Sequence, residues 1–105
     1  MKRNPLTNRI LFVDDEESIL QGLKLTLGRK YEISVASSGK EGLEIYDRDG
    51  PFAVVVSDFA MPEMNGAEFL GELRQRGSSA VTMLLTGVAN FEEVSEVVSS
   101  GGIFR

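Results

Sequence analysis

The chain has 105 residues, enough for one small domain with a single core and too short for two. Eleven Lys plus Arg against 16 Asp plus Glu give a net charge of −5, so the basic footprint that a phosphate backbone requires is missing and no direct nucleic-acid contact is expected. There is no Cys and no His, which removes disulfides, thiolate nucleophiles, imidazole acid–base chemistry and most zinc sites; oxygen ligands suited to magnesium or calcium remain.

No stretch approaches the roughly 20 apolar residues of a membrane span. Met1 to Pro5 also lacks the apolar region of a signal peptide, so a cytoplasmic location without a membrane partner is expected. Residues 1–8 are polar, carry one Pro and read as a short arm. Ile10-Leu11-Phe12-Val13 is an apolar run without polar alternation, as in a strand buried on both faces of a parallel sheet, and it ends in Asp14-Asp15. Ile19, Leu20, Leu23 and Leu27 then recur at helical spacing, with Gly28 as the stop. Tyr31 to Ala36 alternates with period two and reads as a strand nearer the sheet edge. Ser38 with Glu41 fits a capping box, and Leu43, Ile45 and Tyr46 continue that helix until Asp49-Gly50-Pro51 breaks it.

Ala53 to Ser57 is a second buried-strand run, and it ends in Asp58. Asn65 with Glu68, ahead of Phe69, Leu70 and Leu73, starts a third helix that stops at Arg76-Gly77-Ser78-Ser79. Ala80 to Leu85 is another buried run, ending in Thr86-Gly87; Asn90 with Glu93 then opens a valine-rich helix carrying Phe91, Val94, Val97 and Val98. Strand and helix alternate four times with connections of a few residues, which argues for an α/β domain with a parallel sheet and right-handed crossovers. Ligands bind such sheets at the carboxyl ends of the strands, where both runs deliver acids. Three carboxylates within a few ångströms repel one another and raise at least one pKa unless a divalent cation neutralises them.

Each residue also has a purely structural reading. Asp14 and Asp15 alone could cap the first helix, Asp58 alone could be a loop acid, and Thr86 alone could simply end a strand. Glu16 and Glu17 read as solvated first-turn acids, and Phe12, Phe52 and Phe69 as core. The joint occurrence is what favours a site.

Asp58-Phe59-Ala60-Met61-Pro62-Glu63-Met64-Asn65-Gly66, taken with Asp14-Asp15 and Thr86-Gly87, resembles the receiver domain of two-component response regulators. The resemblance covers nearly the whole chain from Ile10 onward. It implies a flavodoxin-like, doubly wound parallel sheet of order 2-1-3-4-5, with residues 9–105 as the receiver domain behind the arm 1–8. It implies Mg²⁺, with Mn²⁺ as the alternative, held directly by Asp15, Asp58 and the backbone carbonyl of Ala60, and by Asp14 directly or through water. Asp58 is implied as the phosphoacceptor, Thr86 as the hydroxyl that bonds a phosphoryl oxygen, and the backbone at Ala60 and Gly87 as part of the phosphoryl pocket. The implied donor is a phosphohistidine on a separate histidine kinase or phosphotransfer protein, because this chain has no His. An output domain or partner protein would respond through the helix-four region. The family is one of signalling domains, not metabolic enzymes, although its members promote their own phosphorylation and dephosphorylation.

Three departures from the family pattern bear on function. The family carries a Lys near the end of strand five and an aromatic switch residue a few positions before it, and this chain ends at Gly102-Ile103-Phe104-Arg105 before either. We therefore expect a truncated domain, with strand five incomplete and helix five absent, that is either a fragment of a longer regulator or a chain whose missing elements a partner supplies by swapping in a dimer. Asn65 stands where the family commonly has Asp, and either residue can cap. Ala60 and Val88 occupy the two positions that, in the family, flank the water attacking the phosphoryl group; both are apolar and neither can orient water, so slow self-hydrolysis of the intact domain is expected. The missing Lys makes a receiver that works without phosphorylation the main alternative. An aspartate-based phosphatase would need a second Asp at position 60, where Ala stands.

Overall fold

Four short strands alternate with three helices over residues 8–85, the part of the chain that the computed structural model describes. In chain order these are β1 (Arg9–Val13), α1 (Glu17–Leu27), β2 (Glu32–Ala36), α2 (Gly39–Asp49), β3 (Val54–Asp58), α3 (Gly66–Gln75) and β4 (Val81–Leu85). Every strand pair is parallel and the spatial order is β2-β1-β3-β4, the first four places of the predicted topology. The predicted fourth helix and fifth strand lie outside the described residues.

The unalternating runs are explained by where their side chains go. Ile10 and Phe12 of β1, with Val56, Met83 and Leu85, pack beneath Leu20, Leu23 and Leu27 of α1. Leu11 and Val13 point the other way, into a second core with Val55 of β3, Ile45 of α2 and Phe69, Leu70 and Leu73 of α3. With both faces covered, a polar residue at any of these strand positions would be desolvated. β2 lies at the edge and is only partly buried, as its alternation predicts.

The helix starts follow the predicted chemistry with two differences. Asn65 accepts from the Glu68 amide at 2.8 Å and Glu68 accepts from the Asn65 amide at 2.9 Å, a complete capping box of the kind that contributes about 1 kcal/mol. Ser38 accepts from the Glu41 amide at 3.1 Å, but the return bond is displaced by one residue. Glu41 Oε1 takes the amide of Ser37 at 2.7 Å and its hydroxyl at 2.9 Å, because Ser37 offers two donors there. The second difference is at α1, whose N-cap is Glu16 and has no side-chain cap bond. Asp14 accepts instead from the Glu16 amide, at 2.8 Å, ahead of the helix.

α2 and α3 pack closely on their shared face. A Cβ at Gly42 would lie 2.8 Å from the Phe69 ring, so only glycine permits this approach. On the surface of the seam, Arg76 bonds Asp47 of α2 at 3.0 Å and Glu72 of α3 at 3.2 Å. Among the described residues, no helix is long and apolar enough to cross a membrane.

Candidate functional site

β1 and β3 are adjacent and in register, with Val13 opposite Ser57, so Asp14 and Asp58 leave the sheet side by side at its carboxyl edge. Asp15 follows one residue later. One carboxylate oxygen from each of Asp14, Asp15 and Asp58 lies within 4.8 Å of the others. Asp14 and Asp58 are half-buried and Asp15 is exposed. The ion pairs found among the described residues involve Glu32, Asp47, Asp49 and Glu72, and none reaches this trio.

The electrostatic consequence is visible in two of the three acids. Burial, reinforced by the charges of Asp58, Asp15 and Glu16, pushes Asp14 up to about 6 from an ordinary 3.8, against the opposing bond from the Glu16 amide. Burial likewise raises Asp58; the carboxylates of Asp15 and Glu16 add to it, and the Phe59 amide opposes it. In both, burial is the larger cause and the neighbouring carboxylates the smaller one. The donor set suits a hard cation, since all three ligands are carboxylate oxygens. A divalent cation held by all three would draw these oxygens closer together and neutralise their mutual repulsion.

The loop after β3 brings the rest of the predicted motif around this edge. Ala60 is exposed two residues past Asp58. Met61 turns inward and is buried in the α2 and α3 core, which anchors the loop. Glu63 has a positive φ of 71°, and the Met64 amide donates to the Pro62 carbonyl at 2.7 Å, closing a three-residue turn. That turn returns the chain to the sheet, where the Gly66 amide donates to the Phe59 carbonyl at 2.8 Å. A Cβ at Gly66 would collide with the Asp58 carbonyl oxygen, so glycine is what lets α3 begin against the end of β3. Thr86, Gly87 and Val88, the other sequence-predicted positions, lie outside the described residues.

Two residues near the acids carry more than the sequence reading gave them. Glu16 reads as a solvated first-turn acid, yet its charge acts on both Asp14 and Asp58. Ser57 is completely buried, and the signal for it is a hydroxyl closing a run of valines.

Comparisons with known proteins agree with this geometry. The family model described as the response regulator receiver domain matches residues 10–103. The transcriptional regulatory protein SrrA of Staphylococcus aureus is 36% identical over 93 residues, covering 88% of this chain and 37% of that protein. The hydrogenase transcriptional regulatory protein HoxA of Cupriavidus necator is 31% identical over 96 residues, covering 91% of this chain and 20% of that protein. The chain thus spans well under half the length of these relatives. Among solved structures, a receiver domain protein from Clostridium thermocellum aligns with a TM-score of 0.71 at 32% identity, covering 89% of this chain and 75% of that one. A structure of adenylate cyclase from Rhodopirellula baltica aligns with a TM-score of 0.76 at 37% identity, covering 95% of this chain and 74% of that one. With its sheet order, its acid edge and a match running through nearly all of its length, the chain belongs to the response regulator receiver domain family.

Proposed function

We propose that this receiver domain accepts a phosphoryl group on Asp58 from a phosphohistidine of a histidine kinase or phosphotransfer protein, in a reaction that depends on Mg²⁺ or Mn²⁺. The observation that carries this reading is the trio itself: three carboxylate oxygens within 4.8 Å, two of the acids raised, and no cation of the described chain beside them. Asp15, Asp58 and the Ala60 carbonyl would hold the ion, with Asp14 bound directly or through water. The ion supplies neutralisation of charge on the transferring oxygens.

The remaining roles belong to the chain. An Asp58 carboxylate oxygen attacks phosphorus in line, the new O–P bond forms as the P–N bond to the donor imidazole breaks, and the imidazole leaves with the bonding pair. Asp58 is held for this at the end of a buried strand, paired with Leu85 of β4 and one residue past the Ser57 pairing with Val13 of β1. Thr86 would bond a phosphoryl oxygen and Gly87 would leave room for it. The consequence for signalling is a shift in the region after β4, read by an output domain or partner protein.

Incubating the chain with a small phosphodonor and Mg²⁺ should place label on Asp58 by mass spectrometry. Asp58→Asn should abolish it, by more than about 100-fold in rate, because the nucleophile is gone. A wild-type chain that stays unlabelled yet binds its partner would favour the phosphorylation-independent module.

A further inference from the structure

Among the described residues, Ser57 is the one buried polar residue, fully shielded in a strand that is otherwise valine up to Asp58. A valine there would continue the run with better strand propensity and more apolar burial. A buried hydroxyl costs stability unless it finds a partner. Its partner is the backbone carbonyl of Asp58, to which Ser57 Oγ donates at 3.0 Å.

That carbonyl is confined from a second side as well. Gly66 of α3 sits so close that a Cβ would strike the Asp58 oxygen. The other polar atom of the same peptide is also fixed, because the Phe59 amide donates to the Leu85 carbonyl of β4 at 2.9 Å. The next carbonyl, that of Phe59, takes the Gly66 amide at 2.8 Å. The Asp58–Phe59 peptide is therefore tied to β4 and wedged by Gly66, and the Ser57 hydroxyl is the side-chain donor to its carbonyl. It is also the first of the peptides that link the Asp58 side chain to the Ala60 carbonyl, so its orientation enters the relative placement of the two.

We propose that Ser57 is a positioning residue, whose buried hydroxyl fixes the Asp58–Phe59 peptide so that the Asp58 carboxylate and the Ala60 carbonyl face one cation; this rests on the phosphoacceptor reading above. Ser57 touches neither donor nor metal. It acts through the backbone it bonds. A residue present only for packing would behave differently, because alanine fits the same space and removes a buried polar atom.

The test uses the full chain with Ser57→Ala, Ser57→Thr and Asp58→Asn, reading Mg²⁺ affinity by titration, labelling rate from a small phosphodonor at saturating Mg²⁺, and Tm. Loss of one hydrogen bond should lower the Mg²⁺ affinity of Ser57→Ala about three- to tenfold, with a similar drop in labelling rate. Ser57→Thr, which keeps the hydroxyl, should stay within about twofold of wild type. Wild-type Mg²⁺ affinity and labelling in Ser57→Ala, beside an unlabelled Asp58→Asn, would overturn the proposal. So would a Ser57→Thr that falls as far as Ser57→Ala at an unchanged Tm. Where the added methyl lowers the Tm of Ser57→Thr, the alanine variant alone decides. A wild-type chain without label would sink the phosphoacceptor reading instead; the Mg²⁺ titration of Ser57→Ala then decides for Ser57, a weaker affinity supporting it and an unchanged one overturning it.

Discussion

The acids at the carboxyl edge of the sheet and the acids on the α2 and α3 surface are the same residue types under opposite treatment. Arg76 holds both Asp47 and Glu72, and the Arg48 guanidinium, bonded at 2.9 Å, keeps Asp49 below its ordinary value. Asp14 and Asp58 sit above theirs, pressed by burial and by other carboxylates. Surface pairs of the first kind add little to stability, because solvent screens them. A cluster of the second kind opposes folding and is tolerated where it concentrates potential for a ligand. Of these two groups, the surface acids are paired with arginines and the trio at the sheet edge is not.

The contrast can be broken most severely by thinning the cluster. Asp15→Asn removes an exposed carboxylate that the proposed function makes a metal ligand, so Mg²⁺ affinity should fall about tenfold or more while Tm stays within a few degrees. Calorimetric titration of the metal beside a thermal melt would check both halves; an unchanged affinity would remove Asp15 from the site.

A smaller effect comes from pH. Asp14 titrates at about 6 in the folded chain against 3.8 ordinarily, so the native state carries no penalty below the lower value, an increasing one between the two, and the full penalty above about 6. The metal-free chain should therefore lose stability from this group as pH rises toward neutrality, by about 1 kcal/mol once solvent screening of a half-exposed acid is allowed for. Asp14→Asn should flatten that slope and raise the metal-free Tm at pH 7 by about 4–8 °C per kcal/mol recovered. Mg²⁺ should weaken below about pH 6, where protons compete for the same oxygens. Urea melts across pH with and without chelator would show it, and a slope of opposite sign would contradict the assignment.

The smallest change is expected on the paired side. Arg76→Ala should shift Tm only slightly and leave Mg²⁺ affinity untouched, because its partners face solvent. A large loss of metal affinity in that variant would show that the two sets of acids are coupled after all.

Much of this arrangement was legible in the residues themselves. The β1 and β3 runs could be placed because burial on both faces leaves no room for polar alternation, and their terminal acids could be placed because parallel sheets expose one end. Asn65 with Glu68 and the glycine at 66 were readable for similar reasons, each being a residue that local geometry all but requires. The Ser38 box was only half legible: Ser37 and Ser38 are adjacent donors, and sequence gives no preference for which one Glu41 will reach. Met61 reads as a loop residue beside Pro62, and only the packed core shows that it is an anchor. Ser57 hides for the opposite reason, since one hydroxyl among valines looks like noise until its burial and its bond to Asp58 are seen together.

β1 is shared by two dissimilar cores, with Ile10 and Phe12 keyed to α1 and Leu11 and Val13 keyed to α2 and α3. A slip of one residue would swap every side chain into the wrong core at once, so the strand works as a ruler with a single readable mark. Its far end is where Asp14 and Asp15 begin. The placement of the acids is thus calibrated by apolar residues that never meet them, and wear in either core would be felt first as a loss of alignment at the edge.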